Sequence, residues 1–375
     1  MTDTPEKSFI APNRRQILKA SAGFGLAATG VNLFAINHAW SQDVTYDGTP
    51  FDAGGATITI AEWGGFWQET MRKLLLDQFE KDFNCKVQYD SSFPWFPKFV
   101  AGGPKDPAFA VTNWNLPEMF KTAGAGDYFL PQDELIANVP NAKGLWPFAS
   151  QNKLGLTWAF SRYCYVYRTD TGVDAPTSFK DFWDERYAGK RGTYVTTNTL
   201  QMMFFLVAAG AFGDDQYDLE AGYEAMRQAV PMKISDFTGN MQALVERGEV
   251  EIAVQNDGEV YLQKTKGVPV DVYLWDDPRP ALTQTKTVSR YLDPTEKKLA
   301  LALVDRTMDP EFQTAVGEVF FYRPTAKEAK LPQGLLDQGV TNDENALAGM
   351  WIPDWPSYLE NEDDVVETVN EIFAS

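Results

Sequence analysis

The chain has 375 residues, and its 52 acidic against 33 basic side chains give a net charge of −19. That surplus repels phosphate backbones and anionic lipid, which argues against nucleic acid or a membrane surface as partner. The single histidine, His38, falls in a segment expected to be removed; without it there is no Ser-His or Cys-His nucleophile pair and no imidazole metal ligand, so the composition points to binding rather than catalysis.

The N-terminus reads as an export signal. Asn13-Arg14-Arg15-Gln16-Ile17-Leu18-Lys19 leads into an apolar stretch from Ala20 to Ile36, and Ala39-Trp40-Ser41 offers small side chains before a break at Gln42. A charged start, an apolar middle and an A-x-A-like site predict cleavage near Ser41. The paired Arg14-Arg15 predicts passage through the Tat translocase to the periplasm. The apolar stretch is short and holds Gly, Ser, Thr and Asn, which disfavours an uncleaved membrane anchor. Its loss removes four basic and two acidic residues, leaving the mature chain at −21. A chain of that length is expected to divide into two lobes.

Thr57-Ile58-Thr59-Ile60-Ala61 predicts a first strand, ending at Glu62-Trp63-Gly64-Gly65-Phe66-Trp67. From Gln68, apolar residues at Met71, Leu74, Leu75, Phe79 and Phe83 recur at helical steps, and a second strand follows at Lys86 to Tyr89. Strand, helix and strand make a βαβ unit, so the sheet should begin parallel. A third strand, Phe109 to Thr112, carries Asn113-Trp114-Asn115 at its tip, with Pro117 opening the next helix where a missing N–H costs nothing. Leu156 to Val166 is a β run long enough to cross between lobes, and Thr285 to Leu292 reads as a second crossing. Between them, Leu200 to Ala209 is a wholly apolar helix expected to be buried all round. An amphipathic helix runs from Asp218 to Ala229. A short helix covers Asn240 to Gly248, and a strand, Glu251 to Val254, leads to Gln255-Asn256-Asp257-Gly258. Further helices are expected at Glu296 to Met308, Pro310 to Val319 and in the tail. Cys85 and Cys164 lie in strand-like runs without Cys-x-x-Cys spacing and are expected to be small buried thiols, although the periplasm would permit a bridge.

Ligands of open α/β sheets bind beyond the carboxyl ends of the strands. Here those ends carry Trp63, Trp67, Trp95 and Trp114 with Asn113, Asn256 and Asp257. Flat aromatic faces with a few carboxylates and amides suit a small polar organic solute, particularly a cationic one.

In this order the chain resembles the periplasmic solute-binding proteins of ABC transporters, in the spermidine/putrescine-binding branch. The resemblance rests on Ile60-Ala61-Glu62-Trp63 followed by Leu76-Asp77-Gln78-Phe79-Glu80. It continues through Ser178-Phe179-Lys180-Asp181-Phe182-Trp183 with Tyr187-Ala188-Gly189-Lys190, then Gly248-Glu249-Val250 and Gly267-Val268-Pro269-Val270-Asp271, to Tyr322-Arg323-Pro324-Thr325. It implies an α/β periplasmic-binding-protein fold of type II kind, two lobes joined by hinge crossings around a ligand cleft. Residues 53–160 with 287–323 would form lobe 1, and 161–286 with 324–375 lobe 2. It further implies a monomeric, non-catalytic receptor without cofactor or metal, partnered by a membrane permease and a cytoplasmic ATPase.

By that resemblance Trp63, Phe66, Asn113, Asn115 and Tyr322 stand at ligand-contacting positions. The acidic positions that meet ammonium groups in polyamine receptors fall at Thr197 and Leu200, an aspartate is replaced by Lys286, and a tryptophan by Asn256. Two ligands are therefore open. Either Asp257, Glu62 and Asp90 hold a polyamine-like cation, or Lys286 and Arg323 receive the carboxylate of an amino-acid derivative or opine-like zwitterion. More remote readings are an exported enzyme, for which no G-x-G-x-x-G or phosphate loop is present, and a metal receptor using Tyr163, Tyr165, Tyr167 or acidic clusters.

Overall fold

The computed structural model describes residues 44–375; Arg14, Arg15, His38 and the cleavage site near Ser41 lie outside the described residues. In chain order the strands are β1 (Thr57–Ala61), β2 (Lys86–Asp90), β3 (Val111–Trp114), β4 (Leu156–Arg168), β5 (Arg191–Tyr194), β6 (Met232–Ser235), β7 (Ile252–Asn256), β8 (Val270–Leu274), β9 (Arg279–Val288), β10 (Arg323–Pro324) and β11 (Met350–Trp351). Two parallel sets, β2-β1-β3 and β7-β5-β6, stand on either side of an antiparallel β9-β4 centre. The pairing of β1 with β2 is the βαβ unit legible in the sequence; the second parallel set was not read there.

Strand β4 belongs to both halves. Its first part pairs with β9 and β10, and from Tyr163 onward it pairs with β7 and β8. The change of partners within this one strand falls at Arg162. The second crossing precedes β9 rather than following Thr285, a correction to the sequence reading. Asp276-Asp277-Pro278 breaks the chain after β8, and β9 then lies wholly within the first half, between β3 and β4.

Two main clusters form the core: one lies within the first half, and the other fills the second half and runs on to Trp95, Phe99 and Trp114 of the first. Ile58, Ile60, Phe79, Phe83, Val288 and Leu303 fill the first, and Tyr165, Phe204, Met226, Val254 and Ile252 the second. The helix Thr199–Phe212 is buried along almost its whole length, as its composition requires. Both cysteines are buried and unpaired. The tail ties the halves together: the helix Trp355–Leu359 packs on Leu116–Ala125, and Glu362–Ala374 packs on Leu219–Ala229. At Gly258, the start of the helix Asp257–Thr265 approaches the end of Pro310–Phe320 so closely that a Cβ would sit 2.9 Å from the Phe320 carbonyl oxygen.

Candidate functional site

Polar and aromatic side chains collect where the parallel strands end. The loops after β1, β2 and β3 carry Trp63 to Trp67, Ser91 to Trp95 and Asn115, while those after β5, β6 and β7 carry Thr197, Phe237 and Asn256-Asp257. Crossover helices begin at these ends with N–H groups still unpaired, which leaves room and hydrogen-bonding capacity for a ligand.

Gln284 on β9 is the hub of the cleft floor. Its Oε1 accepts from Trp63 Nε1 at 2.7 Å and from Asn113 Nδ2 at 2.6 Å, and Asn113 Oδ1 accepts from Trp158 Nε1 at 2.9 Å. The Tyr322 hydroxyl also bonds Gln284, and burial pushes its pKa up. Two residues along the same face of β9, Lys286 pairs with Glu62, both side chains 3 % exposed. Burial pulls the Lys286 ammonium below the usual lysine range, and Glu62 opposes that pull. Trp67 Nε1 donates to the other Glu62 oxygen at 3.2 Å.

Some aromatic rings near the strand ends stay outside the cores. Phe66 is 63 % exposed, Phe93 51 % and Phe237 53 %, each just beyond the end of a parallel strand. Large exposed rings mark a surface built to be covered, and of the three Phe93 borders a cavity. Phe93 lies 5.4 Å from the half-buried Trp63, which lies 4.7 Å from Trp95.

Next to Phe93 opens a cavity of about 460 Å³ that both halves line. Phe93, Pro94, Phe96, Pro97, Asn115, Pro117, Glu118 and Lys121 come from one half; Thr197, Thr199, Met202 and Glu362 come from the other half and the tail. Glu118 Oε1 accepts from the backbone N–H groups of Trp95 and Phe96, both at 2.9 Å, while its Oε2 is buried without a partner. Burial pushes its carboxyl up to about 7 against those two bonds.

The structure thus gathers Trp63, Trp67, Asn113, Lys286 and Tyr322 around Gln284 and Glu62, sets Phe66 at the rim, and places Asn115 and Thr197 on the cavity wall. Other expectations need correction. Trp95 and Trp114 are fully buried. Trp95 supports Trp63 from behind, and Trp114 turns inward onto Phe99 with its Nε1 donating to Thr287 at 2.7 Å. Asn256 caps the helix Asp257–Thr265 by accepting from Glu259 N at 3.3 Å. Asp257 has no exposed surface. Its Oδ1 accepts from Arg162 N at 2.8 Å, and its Oδ2 lies 2.6 Å from Arg323 Nη2. It therefore clamps β4, β10 and a helix start at the crossing. Lys286 and Arg323 each already face a carboxylate, although Arg323 Nη1 has no partner. Asp90 is taken by Lys98 at 2.6 Å. Tyr163 and Tyr165 are buried and donate to the backbone oxygens of Thr199 and Phe179 at 3.2 and 2.9 Å. Among the described residues no three His, Cys, Asp or Glu side chains converge as a metal site would need.

Gln284, Phe93 and Glu118 were not singled out in the sequence. Gln284 had a signal: Gln284 and Lys286 alternate with threonines in a strand, which puts two polar side chains on one face. Phe93 and Glu118 had none, because exposure and a missing partner are properties of the folded chain.

A family model of bacterial extracellular solute-binding proteins matches residues 75–348. No curated protein sequence matches the chain. Among solved structures, an ABC transporter from Clostridium perfringens is similar at 17% identity and a TM-score of 0.70, covering 84% of this chain and 99% of that one. The spermidine/putrescine ABC transporter substrate-binding protein PotD from Streptococcus pneumoniae is similar at 16% identity and 0.65, covering 85% and 100%. Iron-bound HitA from Pseudomonas aeruginosa is similar at 15% and 0.65, covering 84% and 99%. At these identities the likeness establishes the fold, the two-lobed α/β architecture of periplasmic binding proteins.

Proposed function

The chain belongs to the bacterial extracellular solute-binding proteins, and from that premise we propose that it is the periplasmic substrate-binding component of an ABC importer. In this reading it leaves the cytoplasm through the Tat translocase, loses its signal near Ser41 and acts as a monomer. Its lobes close over a small organic cation of the putrescine and spermidine class and present it to a membrane permease driven by a cytoplasmic ATPase. Fold likeness does not choose the ligand, since the similar structures include a spermidine/putrescine-binding protein and an iron-bound one.

The observation that carries the cationic assignment is the charge balance of the cleft. Lys286 is matched by Glu62, and Arg323 by Asp257 through Nη2 with Nη1 left without a partner, whereas on the cavity wall Glu118 keeps an unpartnered carboxylate oxygen. An anion received by Lys286 would have to break a desolvated pair and leave Glu62 uncompensated, which is costly. An incoming ammonium meets aromatic faces and a spare acceptor. The test is a thermal-shift and calorimetric screen of the mature protein with 1,4-diaminobutane, spermidine, amino acids and opines. A polyamine is expected to raise the melting temperature by mass action, without turnover. Stabilisation by carboxylates alone would reverse the ligand's charge, and Lys286 or Arg323 would become the receptor group.

A further inference from the structure

We propose that the cavity beside Phe93 seats the ammonium end of the solute, with Glu118 as the carboxylate that receives it and Asn115 as a second acceptor. The proposal rests on the cationic reading and assigns that reading a specific place. Glu62, Asp257 and Asp90, the carboxylates that the sequence offers for a cation, are all engaged within the fold.

Two residues that line this cavity each carry a buried acceptor that nothing in the protein satisfies, Glu118 Oε2 and Asn115 Oδ1. Asn115 is all the more notable because it occupies the N-cap of the helix Leu116–Ala125 without making a capping bond. Buried acceptors without donors cost stability, so their retention calls for a donor from outside, and a primary ammonium carries three.

The remaining charges agree. Lys121, on the same helix as Glu118, pairs with Glu362 on the tail helix and lies 5.5 Å from the Phe96 ring centroid. Those two charges cancel and leave Glu118 alone to be matched by one positive group. The positive end of the Leu116–Ala125 helix opposes a cation here, and Glu118 in its first turn offsets it. Phe93 borders the cavity and also touches Trp63, so the methylenes of a diamine can run from the cavity along an aromatic wall toward Gln284. Because Thr197 and Met202 belong to the opposite half, an occupant touches both lobes and favours their closure.

Burial holds the free carboxyl at about 7. An ammonium beside it favours the ionised form, so near pH 7 binding should release a proton and affinity should climb as pH rises from 5.5 to 8.5. An alkylammonium, with a pKa of about 10.4, keeps its charge over most of that range.

The experiment is isothermal titration of the mature protein with 1,4-diaminobutane at pH 5.5, 7 and 8.5, in buffers of differing ionisation enthalpy. Wild type should bind with proton release at pH 7. Glu118→Gln should bind at least tenfold more weakly at pH 8.5 and lose both the pH dependence and the proton release. Thr197→Trp, at an exposed position on the opposite wall, should block binding while Glu118 stays intact, and so covers a failure of the first variant to fold. If both variants bind as wild type does at every pH, the seat is wrong while the cationic receptor stands. If wild type binds no amine but binds carboxylates, the cationic reading itself falls, and this inference with it.

Discussion

Glu118→Gln should make the empty protein more stable at high pH and leave it unchanged at low pH. In the folded chain burial lifts the Glu118 carboxyl from 4.5 to about 7. Below pH 4.5 both folded and unfolded chains hold the proton, and the site contributes no difference. Between 4.5 and 7 the unfolded chain gives up its proton while the folded chain keeps it, so stability falls as pH rises; above 7 the whole penalty is present. At 1.36 kcal/mol per unit, the displacement amounts to about 3 kcal/mol. Glutamine keeps a carbonyl oxygen for the Trp95 and Phe96 N–H groups and removes only the charge. Urea unfolding followed by far-ultraviolet circular dichroism at pH 4 and pH 8 measures the effect. The variant should gain up to about 3 kcal/mol over wild type at pH 8, a few degrees in Tm, and nothing at pH 4. Equal stabilities at both pH values, or a variant weaker at pH 8, would refute the claim that this carboxylate is held ionised without adequate compensation.

Trp63→Ala should weaken the best amine ligand at least tenfold in calorimetry, about 1.4 kcal/mol of lost aromatic contact; unchanged affinity would remove this ring from the site. Lys286→Met should cost roughly 3–5 kcal/mol in urea unfolding, because Glu62 stays buried without its counter-charge, and Glu62→Gln added to it should restore most of the loss. Asp257→Asn should cost roughly 3 kcal/mol by leaving Arg323 unmatched near Arg162. Measured well below its Tm, that variant should bind amines as wild type does; a selective loss of affinity would instead make Asp257 a ligand group.

Much of the architecture was legible from local pattern. The alternation at Thr57 to Ala61, the helical recurrence from Met71 to Phe83 and the unbroken apolar run at Leu200 to Ala209 each specify an element through residues two to four positions apart. Pro117 lands in the first turn of its helix for the same local reason. The aromatic content of the strand ends was legible too, but not which rings face the cleft. Trp95 and Trp114 look like Trp63 in the sequence, yet only Trp63 keeps exposed surface, because the turn of the backbone after each strand sets the direction of the side chain.

Charge was the least legible property. Lys286 reads as a free cation awaiting an anion, and its partner Glu62 stands 224 residues away. Arg323 and Asp257 find each other only because β10 and the start of a helix converge on the strand shared by the two halves. Local pattern along the chain specifies the kinds of element, their order and the family of the fold. Which carboxylates are spent inside the protein, and that Glu118 is left with an oxygen to spare, was decided by the tertiary structure. Ion pairing depends on distance through space, and nothing in the spacing along the chain encodes it.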